Sequence, residues 1–148
     1  MSFDISSRTG CSYTPRRMAA LREILYFSLL AAGQPVQIVG QIVSHARARN
    51  EAEGITGLLV FDGMRFCHHL EGSPESVRAL LERLAADPRR CGMKVCFDGP
   101  LAQRRYPRFD LGLAEVEDGE ELARVGGLQG REALDLFLAL RPRFDISG

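Results

Sequence analysis

Apolar positions recur along the chain with two periods, and the switches between them mark its elements. In Glu23–Leu29, Ile24, Tyr26 and Ser28 alternate with Leu25, Phe27 and Leu29, which predicts a strand apolar on both faces and so central in its sheet. From Val36 to Asn50 the apolar residues Ile38, Val39, Ile42, Val43 and Ala46 fall at helical spacing, opposite a polar face of Gln37, Gln41, Ser44 and Arg47. Gly54 suits the close of that helix. Ile55–Phe61 and Met64–Leu70 then read as two strands joined by a tight Asp62-Gly63 turn, the strongest short-range hairpin signal. Alternation along the second strand puts Phe66, His68 and Leu70 on one face and Arg65, Cys67, His69 and Glu71 on the other. An imidazole between Phe and Leu on a core-facing stripe is the oddest feature of the pattern.

Ser73-Pro74-Glu75 supplies an N-cap, a proline at the first helical position and an acid in the first turn. Val77, Leu80, Leu81 and Leu84 form the buried stripe of this second helix, which ends near Ala86. Asp87-Pro88-Arg89-Arg90 reads as a turn, Met93–Asp98 as a fourth strand, Gly99-Pro100 as a break and Gln103–Pro107 as a basic loop. Leu111–Ala114 is a short fifth strand, and Glu115–Glu121 an acidic, solvated connector. Gly130–Leu140 predicts a closing amphipathic helix that buries Leu134, Phe137, Leu138 and Leu140, with Pro142 as its stop. Residues 1–18 lack periodicity and read as a flexible N-terminal arm. The order β–α–β–β–α–β–β–α describes an α+β, ferredoxin-like sandwich: a mixed five-stranded sheet with two helices on one face plus a C-terminal helix.

Composition narrows the function more than the fold. At 148 residues, 45% apolar and 26% charged, the chain suits one domain with a real core. Nineteen acids balance nineteen bases, so charge suggests neither nucleic acid nor a membrane surface as partner. No apolar run approaches the roughly 20 residues of a bilayer span. Met1–Arg17 lacks the apolar core of a signal peptide, and the four cysteines show no CxxC or zinc spacing. Free thiols in a cytoplasmic location are expected.

No P-loop, GxGxxG or GxSxG is present. Cys67 and His68 are neighbours that the pleat sends to opposite faces, so they cannot form a dyad. Cys67 and His69 share a face, as a solvated or interface pair, without a further metal ligand. Glycines 54, 57, 63 and 72 fit a helix cap, close packing and turns. A binding role is better supported than catalysis. Tyr26 and His68 meet if their strands are neighbours, and Asn50, at the end of the first helix, carries an amide that both donates and accepts. Under two helices these groups suit a flat heteroaromatic ring with imide edges. The alternative is a core tyrosine, a capping asparagine and a satisfied histidine.

At these residues the chain resembles the BLUF family, flavin-binding domains that sense blue light, over roughly Leu21–Leu113. Tyr26-Phe27-Ser28 is similar to the family's Tyr-x-Ser. Arg49-Asn50 followed by Gly54-Ile55-Thr56-Gly57-Leu58-Leu59 is similar to its N…GITGLL. Phe66-x-His68-x-Leu70-Glu71-Gly72 lies on its F-x-Q-x-L-E-G strand, and Asp87-Pro88-Arg89-Arg90 on its D-x-R-H turn. The resemblance implies a BLUF-like domain over residues 19–115, followed by a connector and C-terminal helix over 116–148. It implies FAD between the two helices, with Asn50 on the imide edge and Tyr26 as light-driven electron and proton donor. The expected cofactor-binding set is Tyr26, Ser28, Arg49, Asn50, His68, Arg89, Arg90, Phe109 and Leu111.

Four departures stand out from the family pattern. His68 replaces a glutamine whose amide rearranges in light; an imidazole has one donor and one acceptor at fixed ring positions and no amide tautomer. Arg90 replaces the histidine of the turn, and Phe109 and Leu111 occupy positions of a tryptophan and a methionine. The resemblance therefore implies a non-enzymatic FAD-binding sensor with an altered or lost photocycle, signalling to an unidentified downstream protein as a homodimer or higher oligomer. A flavin-free dimerisation or interaction module is the alternative, and a small hydrolase or metal enzyme built on Cys67 and His69 a third.

Overall fold

A computed structural model of the chain describes residues 20–107, 111–117 and 119–147. The N-terminal arm expected over 1–18 and the expected site residue Phe109 lie outside them. The elements run β1 (Leu21–Leu30), α1 (Ile38–Glu53), β2 (Thr56–Phe61), β3 (Arg65–Gly72), α2 (Pro74–Ala85), β4 (Arg90–Leu101), β5 (Gly112–Glu115), α3 (Glu120–Gly126) and α4 (Arg131–Leu140), closed by a 3-10 turn over Arg141–Arg143. The sheet order is β4-β1-β3-β2-β5. β5 runs parallel to β2 and the other neighbours are antiparallel, so the sheet is mixed, as expected.

The three inner strands, β1, β3 and β2, carry apolar side chains on both faces. Their alternation divides the core. Leu59, Phe61 and Phe66 pack under α1, while Ile24, Tyr26 and Leu70 pack under α2. Leu25, Leu58, Val60 and Cys67 face the other way, onto Leu122 and Val125 of α3 and Ala133, Phe137 and Leu140 of α4. The caps follow the local sequence. Gly54 closes α1 at φ 70°, and the Ser73 hydroxyl accepts from the Ser76 amide ahead of Pro74.

Four local expectations are corrected. The Asp62-Gly63 turn is wider than a two-residue loop, because Phe61 pairs with Phe66 and β3 begins at Arg65. Asp62's carboxylate draws the chain round by accepting from the amides of both Met64 and Arg65. Gly99-Pro100 is no break: both lie within β4, whose outer edge is unpaired, so proline's missing N–H costs no ladder bond. The connector contains helix α3, with Glu120 and Glu121 in its first turn and Arg124 in its last. Lys94 Nζ donates to the Gly126 and Leu128 carbonyls at that helix's C-terminal end. Along α4, Ala133 joins Leu134, Phe137 and Leu140 in burial, while Leu138 is only half-buried.

Candidate functional site

Antiparallel pairing sets Tyr26 of β1 opposite His68 of β3, on the face covered by α1 and α2. The Tyr26 hydroxyl lies 2.7 Å from His68 Nδ1. Arg90, the first residue of β4, donates from Nη1 to the same hydroxyl oxygen at 2.6 Å. Since that oxygen already receives Arg90's N–H, its own hydrogen has His68 Nδ1 as acceptor, which makes His68 the neutral Nε2–H tautomer. Burial first, then the positive charge of Arg90, holds the imidazole well below its ordinary 6.5, in keeping with neutrality. Burial pushes the Tyr26 phenol up to about 12 despite the pull of Arg90.

The 87–90 turn aims Arg90 inward. Asp87 accepts from the backbone amide, Nε and Nη2 of Arg89, tying that guanidinium down beside it. Arg90 then follows the turn under the helices, 8% exposed, with its guanidinium 4.7 Å from the Phe66 ring centre. Between α1 and α2 this leaves a cleft of about 60 Å³, lined by Ile42, His45, Ala46, Arg49, Asn50, His68, Leu80, Leu84, Asp87, Arg89 and Arg90. Three side-chain nitrogens of that lining, Arg49 Nε, His68 Nε2 and Arg90 Nε, are buried without a hydrogen-bond partner. Left unmatched, each costs on the order of 1–3 kcal/mol.

Of the expected site residues, Arg49, Asn50, His68, Arg89 and Arg90 come together on this cleft, with Tyr26 beneath it through His68 and Arg90. Ser28 and Leu111 do not line it. Ser28 is fully buried on β1 opposite Phe66, and Leu111 packs with the α1 cluster, where its carbonyl accepts from Arg47. Sequence reasoning passed over Ile42, His45 and Ala46 as lining residues. Their signal was present, because three- and four-residue steps back from Arg49 and Asn50 reach all three.

The opposite face holds a second buried polar cluster. His69 Nε2 is 2.8 Å from Glu23, and His69 Nδ1 is 2.6 Å from the Tyr106 hydroxyl. Arg105 also donates to Glu23, and Glu71 accepts from the amides of Arg105 and Tyr106. Burial alone would raise Glu23, but the hydrogen bonds from His69 and Arg105 outweigh it and hold the carboxyl at about 2. Cys67 and His69 are therefore not a solvated pair: both are fully buried, and burial pushes the Cys67 thiol well up. Among the described residues no group of three or more His, Cys, Asp or Glu side chains is placed to hold a metal ion.

Comparison with known proteins follows this geometry. The family model described as sensors of blue-light using FAD, BLUF, matches residues 21–112. The blue light- and temperature-regulated antirepressor BluF of Escherichia coli is 31% identical over 103 residues, which are 66% of this chain but only 26% of that protein. The dark-state structure of BlrB, a BLUF protein, superposes with a TM-score of 0.64 at 29% identity, covering 72% of this chain and 81% of that one. Klebsiella pneumoniae BlrP1, solved with FMN and cyclic diGMP, gives 0.61 at 27% identity, over 64% of this chain and 26% of its own. With the family's match running from the first strand into the fifth, across every element that frames the cleft, this chain belongs to the BLUF family of blue-light sensors.

Proposed function

We propose that the domain binds FAD in the α1–α2 cleft and signals to a separate protein, with a light response that His68 alters or abolishes. The observation that carries this is the set of unmatched buried nitrogens, Arg49 Nε, His68 Nε2 and Arg90 Nε, on residues that line one cleft together with fully buried Asn50. Donors of this kind need an acceptor-bearing ligand edge, and the carbonyls and ring nitrogens of a flavin supply one. Small-molecule sites run from about 300 Å³ upwards, so the cleft must widen from about 60 Å³ to take a tricyclic ring, and on this reading Arg90 turns aside from its place over Phe66. That long side chain follows the 87–90 turn, whereas most of the lining belongs to α1, α2 and β3.

Bound flavin would supply the blue-light absorption and an excited ring able to accept an electron. Tyr26 would be the donor. Its proton already points at His68 Nδ1 across 2.7 Å, so withdrawing an electron drives the proton onto the imidazole. The imidazolium then holds N–H at both nitrogens beside the charge of Arg90, and this repulsion favours return of the proton to Tyr26 together with the electron that the ring would hand back. The original hydrogen-bond pattern is restored, whereas a glutamine amide could leave its pattern reversed. Output would travel along β3 to His69, whose ring packs edge-on against Phe137 of α4, and so to the α3–α4 face.

The same position of Arg90 favours one other reading, a flavin-free interaction module whose cleft stays closed over Tyr26. Titration of the purified protein with FAD distinguishes the two. The flavin reading predicts a saturable change in the flavin absorbance bands, weakened about tenfold or more by Asn50→Ala. A protein that leaves the spectrum of added FAD unchanged is the flavin-free module.

A further inference from the structure

The cleft's lining is unbalanced in charge as well as in hydrogen bonding. Three guanidinium groups, Arg49, Arg89 and Arg90, line it against a single carboxylate, Asp87. That carboxylate is already engaged by Arg89 through its backbone amide, Nε and Nη2. Arg90 is buried, yet its guanidinium donates from Nη1 to a neutral phenol, and its Nε has no acceptor. Arg49 Nε and the N–H at His68 Nε2 are in the same position. Arg90 shares the charge of Asp87 with Arg89, and the low local dielectric that makes an under-compensated buried guanidinium costly also strengthens its attraction for an anion. Arg49 Nε, His68 Nε2 and Arg90 Nε are all donors, so none of the three can satisfy another.

We propose that the cleft selects for negative charge on its ligand, with Arg90, Arg49 and His68 Nε2 as the selecting donors. Applied to the flavin reading, on which this inference rests, the cleft binds the reduced cofactor more tightly than the oxidised one. The oxidised isoalloxazine is neutral. Two electrons and one proton convert it to a ring carrying one negative charge above neutral pH, shared over the oxygen and nitrogen acceptors that the oxidised ring already presents. Arg90 is then a specificity-determining residue for the charge state of the ligand, beyond any part it has in shaping the site.

The test is an anaerobic titration of the whole purified protein, above neutral pH, with FAD and with dithionite-reduced FAD, alongside the midpoint potential of bound flavin. The expected result is at least tenfold tighter binding of the reduced form, read also as a positive shift of about 30 mV per tenfold relative to free FAD. Arg90→Met should abolish most of that preference and Arg90→Lys retain most of it. Arg49→Met, at the outer rim of the cleft on α1, should reduce it even if Arg90→Met fails to fold. Equal binding of the two forms, or a preference unchanged in Arg90→Met and Arg49→Met, overturns the inference while leaving the flavin site standing. If neither form binds, the flavin reading falls and this inference falls with it.

Discussion

His68 and His69 are chain neighbours that β3 sends to opposite faces, and both are buried. Burial lowers the proton affinity of each. As pH falls below 6.5, the unfolded chain takes up protons that these two sites resist, so stability declines with acid through that range. Glu23 has the same sign at lower pH: its contribution is complete above the unfolded value of 4.5 and is lost as pH falls toward its folded value of about 2. Urea unfolding on either side of 6.5 should show a smaller acid-induced loss for His68→Gln than for the native protein. An identical loss in the two would mean His68 takes up its proton freely when folded. The sequence showed that an imidazole interrupts an apolar stripe facing a tyrosine. It could not show that Arg90 would reach the same hydroxyl, because arginines 89 and 90 are adjacent in a turn and only the Asp87 contacts decide which one is tied down and which turns inward.

At the scale of elements, the strands and longer helices were legible because each repeats its signal several times. β1 shows full alternation, α1 shows five apolar residues at helical spacing, and α2 announces itself through Ser73, Pro74 and Glu75. α3 was not legible. Only Leu122 and Val125 are buried along it, glycine precedes it, and its first-turn acids resemble a solvated linker until the packing of Leu122 and Val125 in the core is known. Gly99-Pro100 misled for a related reason, since proline's effect depends on whether its strand lies at the edge. Glycines make the contrast testable. At Gly57 an added Cβ would collide with the His69 carbonyl oxygen of the paired strand, whereas at Gly40, on exposed α1, it would meet nothing within 4 Å. Gly57→Ala should cost about 1–3 kcal/mol as β2 and β3 are forced apart. Gly40→Ala should add up to about 1 kcal/mol. Thermal unfolding of the two variants, moving in opposite directions, checks the close approach of β2 to β3; equal shifts would refute it.

On the scale of the whole molecule, one mixed sheet separates two polar sites that differ in how well they are satisfied. On the α3–α4 face, Glu23, His69, Tyr106, Arg105 and Glu71 partner one another. On the α1–α2 face, Arg49 Nε, His68 Nε2 and Arg90 Nε are left without acceptors. On the proposed reading the first cluster is structure and the second the site, and the two meet at the adjacent histidines of β3. The measurement that bears most directly on this account is the absorbance spectrum of the FAD-loaded protein in darkness and after blue light, compared with that of His68→Gln. The account predicts bound flavin in both, a native spectrum that returns at once or never moves, and a persistent small red shift in the variant that regains an amide. A persistent red shift in the native protein would contradict it, because His68 would then be doing without an amide what the amide was needed to do.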